Sequence, residues 1–148
     1  QVFDRQGKLS DAVKRAEELV ILNNQDVGAL FQLGFLYYKS NRFDESRQVF
    51  ERTIQLSPNY SNARYFLGLI YDGGSLGASK ENFWAAKAKA QDQFEKIAEL
   101  NPDNAEVKQI IANLKAGKAA LFGIAPPAPQ NRAEAPISEK TSVQKLRK

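Results

Sequence analysis

Apolar residues in this chain recur at steps of three and four, and no stretch alternates apolar with polar. Leu9, Ala12, Val13, Ala16, Leu19 and Val20 form one such stripe. Leu30, Leu33 and Tyr37 form another, and Phe83, Ala86, Ala90, Phe94 and Ile97 a third. A helix turns once every 3.6 residues, so each set lands on one helical face. The pattern predicts helices at about 9–23, 26–39, 43–56, 60–71, 80–100 and 105–116, and no strand. The breaks between them carry the expected punctuation. Pro58 and Pro102 stop one helix, since proline lacks the N–H that a helix interior needs. Ser-Pro-Asn at 57–59 and Asn-Pro-Asp-Asn at 101–104 offer side-chain oxygens to cap the next helix. Asp72-Gly73-Gly74-Ser75-Leu76-Gly77 reads as a loop. Ser79 then caps a helix whose first turn holds Glu81, which suits the helix dipole.

The stripes repeat. Leu30-x-x-Leu33-Gly34-x-x-Tyr37 is followed by Ser46-x-x-x-Phe50 and Pro58. Gly68 lies thirty-four residues after Gly34, in Leu67-Gly68-x-x-Tyr71, and Ala90-x-x-x-Phe94 and Pro102 follow. Phe50-x-x-Thr53-x-x-Leu56-x-Pro58 matches Phe94-x-x-Ile97-x-x-Leu100-x-Pro102. This pattern resembles the tetratricopeptide repeat, whose thirty-four-residue unit is a helical hairpin with the same Leu-Gly-x-x-Tyr, Ala-x-x-x-Phe and Pro positions. Gly7-Lys8-Leu9-Ser10-Asp11-Ala12 resembles the turn and second helix of an earlier copy, with Asn24 at the proline position. A partial later copy starts at Ala105, with Ile111-Ala112 in the Leu-Gly slots and Lys115 in place of the tyrosine. The resemblance implies an all-α, right-handed solenoid of antiparallel hairpins. Its divisions are a partial repeat over 1–26, a repeat over 27–60, a repeat over 61–104, and a partial repeat or capping helix over 105–122.

Each signature residue has a packing reason. Gly34 and Gly68 let paired helices approach closely, and Ala12 and Ala90 are small for the same reason. Tyr37, Tyr71, Phe50 and Phe94 fill the larger gaps. The second copy carries ten extra residues, near 72–84, because Tyr71 to Ala90 spans nineteen residues where Tyr37 to Ser46 spans nine. They are expected to lengthen the second helix by about one and a half turns and to extend the loop. Trp84, the single tryptophan, lies in this insertion. It either fixes the insertion against a neighbouring helix end or serves as a binding hot spot. At the other end, only Gln1–Arg5 stand where a helix would cover the stripe from Leu9 to Val20. That face is expected to be open to water and to drive self-association, unless further repeats precede it. From Gly123 the composition shifts to proline and alanine, with four of the six prolines. Residues 123–148 read as a disordered basic tail, because few large apolar side chains are present to offset ordering entropy.

Composition narrows the chemistry. The chain has no histidine and no cysteine, which removes the usual general base and the commonest metal ligands. A hydrolytic triad or a zinc site cannot be assembled, and no cofactor or small-molecule substrate is expected. Gly73-Gly74-x-x-Gly77 has neither the preceding strand nor the Gly-Lys-Ser/Thr ending of a phosphate loop. The net charge of +4 is uneven: residues 1–122 hold 16 basic and 15 acidic side chains, and residues 123–148 hold 5 and 2. A near-neutral body is a poor match for a nucleic-acid backbone. Lys87 and Lys89, with Glu95 and Glu99, read as a solvated helix face. No apolar run approaches the ~18 residues that span a bilayer.

The resemblance implies a non-catalytic scaffold that binds a protein or peptide partner along a groove lined by the first helix of each hairpin. The ligand-facing slots of the family fall on Phe31, Phe35, Tyr38 and Lys39, with Gly28, in the first copy. In the second they fall on Asn62, Tyr65, Leu69 and Asp72, with Gly73. In the partial third they fall on Glu106, Gln109, Asn113, Ala116 and Gly117. The aromatics form either a peptide groove or packing within the fold. Family members that clamp a terminal carboxylate use a Lys and an Asn, and Phe31 and Phe35 occupy those slots here. Two further readings stay open. The body-plus-tail layout is similar to C-terminal repeat regions of some bacterial membrane proteins, including polysaccharide ligase-like ones, which would make the chain an assembly region. Related helical repeats also read RNA.

Overall fold

In the computed structural model, residues 2–124 are described, with side chains from residue 5. They form six α-helices and, among the described residues, no strand: α1 (Val2–Leu22), α2 (Val27–Lys39), α3 (Phe43–Leu56), α4 (Ser61–Gly73), α5 (Lys80–Leu100) and α6 (Ala105–Lys115). The tail read over 123–148 lies outside the described residues, except for Gly123 and Ile124. There the Ile124 N–H donates to the Leu121 carbonyl at 3.0 Å, so the last turn reaches Ile124. No helix among the described residues is long and apolar enough to cross a membrane. The chain divides into two compact units, residues 1–58 and residues 59 onward.

The first unit is α1, α2 and α3. Val13 and Ala16 of α1 are buried with Leu33, Leu36 and Tyr37 of α2, flanked by Leu9, Ala12, Val20 and Val49. This corrects the expectation of an open α1 stripe. The α1 face from Leu9 to Val20 is largely covered by α2, and Leu19 stays exposed, with Ile21 and Leu22 beyond it. A second correction concerns the start of α1. Gly7 sits inside one continuous helix, and residues 2–6 extend α1 without forming a turn after a separate helix. Tyr37 Oη donates to Glu17 Oε2 at 2.5 Å, tying α2 to α1.

The α2–α3 hairpin follows the packing logic of its signature. A Cβ on Gly34 would lie 2.7 Å from the Phe50 ring, closer than real Cβ atoms come. Ser46, where the repeat pattern has alanine, is buried, and its hydroxyl donates to the Gly34 carbonyl at 2.8 Å. The turn between the helices needs only Ser40, Asn41 and Arg42. Asn41 takes a left-handed φ of 61°, which asparagine tolerates better than most residues. Arg42 N–H then donates back to the Tyr37 carbonyl at 2.9 Å.

The second unit is α4, α5, α6 and the turn after α6. Its core holds Tyr65, Phe66 and Leu67 of α4, Phe94 and Ile97 of α5, and Val107, Ile110 and Leu114 of α6. Gly68 repeats the first hairpin's contact: a Cβ there would meet the Phe94 ring at 2.5 Å. Asp26, Ser79 and Asn104 cap α2, α5 and α6 by accepting from Ala29, Asn82 and Val107 N–H groups. The expected cap from 57–59 is absent. Tyr60 occupies the N-cap of α4, with no side-chain cap bond. The ten inserted residues divide cleanly: α5 is 21 residues long against 14 for α3, and the turn before it is longer by three. The helix therefore gains about two turns.

Candidate partner-binding surface

Phe31, Phe35 and Tyr38 stand at successive turns of α2, which places them along one face. Each is half-buried. The rings of Phe31 and Phe35 are nearly parallel, 7° apart, with centroids at 6.2 Å. Phe31 also leans on Phe50 at 5.6 Å, and Tyr38 meets Phe43 edge-on at 5.3 Å. Lys39 is exposed, and its ammonium lies 5.4 Å from the Phe35 centroid, within cation–π range. Burial pushes the Tyr38 phenol above its ordinary pKa. The result is an apolar row of rings on α2 with one cation over Phe35. Aromatic faces of this kind give contact area at low entropic cost.

The second-copy residues are placed differently. Asn62 and Tyr65 are buried in the second unit. Tyr65 packs edge-on against Phe66 and Phe94, with centroids at 5.3 and 5.8 Å. Its ring fills the gap between α4 and α5 and offers a partner almost nothing. Leu69 is half-buried. Asp72 is spent internally. Its Oδ1 accepts from Lys87 Nζ at 2.7 Å and its Oδ2 from the Ala120 N–H at 3.0 Å. Asp72 therefore anchors the fold, in contrast to its expected groove role.

Lys87 corrects the reading of a solvated helix face. It is buried, bonded to Asp72 and also to the Lys118 carbonyl at 2.6 Å. Lys89 keeps an exposed position, over the Tyr71 ring at 4.6 Å. In the partial third copy, Asn113 is buried too. Its Nδ2 donates to the Ala120 and Phe122 carbonyls, both at 2.9 Å, so it holds the turn after α6. Gly117 closes α6 with a left-handed φ of 78°, the usual conformation for a glycine after a helix. A Cβ there would lie 2.9 Å from Trp84. Trp84 thus packs over Gly117 and also meets Phe83 edge-on at 5.1 Å. A glycine after a helix is visible in sequence, but nothing in sequence shows that Trp84 covers it. Among the described residues, no group of Asp and Glu is arranged to hold a metal ion.

No curated protein matches the chain as a relative. Residues 27–60 match the family model of the tetratricopeptide repeat. They span α2, α3 and the turn that follows, and they contain the Gly34–Phe50 contact and the Tyr37 and Pro58 positions. The chain therefore carries a tetratricopeptide repeat at residues 27–60, the observed helical hairpin of its first unit.

Proposed function

We propose that this chain binds a protein or peptide partner through the aromatic face of α2, with Phe31, Phe35, Tyr38 and Lys39 as the contact residues. Tetratricopeptide repeats are in general non-catalytic scaffolds for protein interaction. The observation that carries the reading is the row of three half-buried aromatic rings on α2 with an exposed lysine over Phe35. The contact is confined to the first unit, and Asn62, Tyr65, Leu69 and Asp72, which belong to the second, are left out of it. The test is a pull-down with the full chain and with a Phe31→Ala/Phe35→Ala variant, the bound proteins being identified by mass spectrometry. Partners held by the wild type and lost from the variant, at an unchanged melting temperature, support the reading. Identical bound sets would remove the α2 face from consideration.

A second reading, self-association, has its own observation. Leu19 is 59% exposed, with Ile21 at 79% and Leu22 at 82%. In the repeat register Leu19 corresponds to Thr53 and Ile97, both fully buried. Apolar surface is worth about 25 cal/mol per Å2 when removed from water, so this end of α1 favours a second copy.

A further inference from the structure

We propose that α1 pairs antiparallel with α1 of a second copy, about a two-fold axis level with Val13, through four charged side chains on its outer face. This rests on the self-association reading above and gives it a definite arrangement. Lys8, Asp11, Arg15 and Glu18 follow one another at steps of three and four, which places them on one stripe of the helix. All four are exposed, on the side away from Leu9, Val13 and Ala16, which pack on α2. Leu19, 59% exposed, borders the stripe.

The order of charges along the stripe selects a second copy and its direction. From Lys8 it runs positive, negative, positive, negative, and reversed it runs negative, positive, negative, positive. Two antiparallel copies therefore set Lys8 against Glu18 of the second copy, and Asp11 against its Arg15. Two-fold symmetry makes each contact twice. Parallel copies in register would set each charge against its own kind. The ordinary use of charges so spaced is pairing within their own helix. Among the described residues, however, no ion pair takes up Asp11, Arg15 or Glu18. The same register brings Leu19 opposite Gly7 of the second copy. A Cβ on Gly7 would meet nothing within 4 Å, so the surface there is low and has room for the leucine. Leu19 gains cover that α2 does not give it. The ion pairs fix register and direction, and the apolar contact supplies the drive.

The experiment measures association of the full chain by analytical ultracentrifugation, for the wild type, for Lys8→Glu, for Glu18→Lys, and for the two variants mixed in equal amounts. Each variant alone sets like charges opposite one another at both symmetry-related contacts, and should associate about tenfold more weakly. In the mixture, one copy carries glutamate at positions 8 and 18 and the other carries lysine at both. Every contact is then an opposite pair, and association should return to wild-type strength as a heterodimer. Added salt should weaken the wild-type dimer. Both altered side chains are exposed, and circular dichroism checks that each variant is folded. A mixture no stronger than its parts, or single variants that associate like the wild type, would overturn the antiparallel pairing. If Leu19→Glu still abolishes association in that case, self-association through α1 stands and this arrangement alone fails. A wild type that stays monomeric at the highest concentration reached overturns both.

Discussion

At the residue scale, one substitution changes sign with its surroundings. Gly34 and Gly7 both lie within helices, but a Cβ on Gly34 would strike Phe50 at 2.7 Å, while one on Gly7 would meet nothing within 4 Å. Gly7→Ala should stabilise the chain by roughly 0.5–1 kcal/mol, since glycine carries that penalty in a helix. Gly34→Ala should destabilise it by roughly 1–3 kcal/mol, the usual cost of overpacking. Urea unfolding of the two variants checks both signs. Tyr37 gives a pH prediction. Burial, then the hydrogen bond to Glu17, raises its pKa from 10.0 to about 12. A group whose folded pKa is raised contributes stability that is complete below the unfolded value and lost as pH climbs through the folded one. Wild type should therefore lose stability between about pH 10 and pH 12 more steeply than Tyr37→Phe, which has no phenol to ionise. Melting temperatures of the two proteins across that window make the comparison. The glycine contacts were legible in sequence, because the Leu-Gly-x-x-Tyr spacing predicts them. The Tyr37–Glu17 bond was not, because it joins two helices whose mutual rotation no spacing gives.

At the element scale, the insertion shows how local signals and packing divide the work. Ser79, Glu81 and the apolar stripe located α5 from residue 80 to residue 100, as observed. They could not show that the added turns carry Lys87 inward to Asp72. The side chains of this pair are only 4% and 12% exposed, and the pair fastens the turn after α6 through Lys118 and Ala120. Lys87→Met should destabilise the second unit by about 3–5 kcal/mol, because it leaves a buried carboxylate without its cation. Lys87→Met with Asp72→Leu should cost less than that single change, since no buried charge remains. Chemical denaturation of the single and double variants tests this ordering. A double variant as unstable as the two single changes added together would show that the pair is not coupled.

At the scale of the whole molecule, the exposed end of α1 bears on oligomeric state. The chain should self-associate with rising concentration, and Leu19→Glu should reduce that association while leaving the helical circular dichroism spectrum unchanged. Sedimentation velocity over a concentration range is the measurement. A wild type that stays monomeric, or a variant that associates equally, would count against this surface. By itself the sequence determined the helices, the period that pairs them, the close glycine contacts and the extra length of α5. These follow from spacing along one chain, and periodicity, capping and steric size act over a few residues. Only the tertiary structure decided which faces water reaches. It covered most of the α1 stripe with α2, buried Tyr65 between α4 and α5, and turned Lys87 and Asp72 from surface charges into an internal tie. It also brought Trp84 onto Gly117, thirty-three positions along the chain. Burial depends on neighbours distant in sequence, and no local pattern encodes which of them arrive.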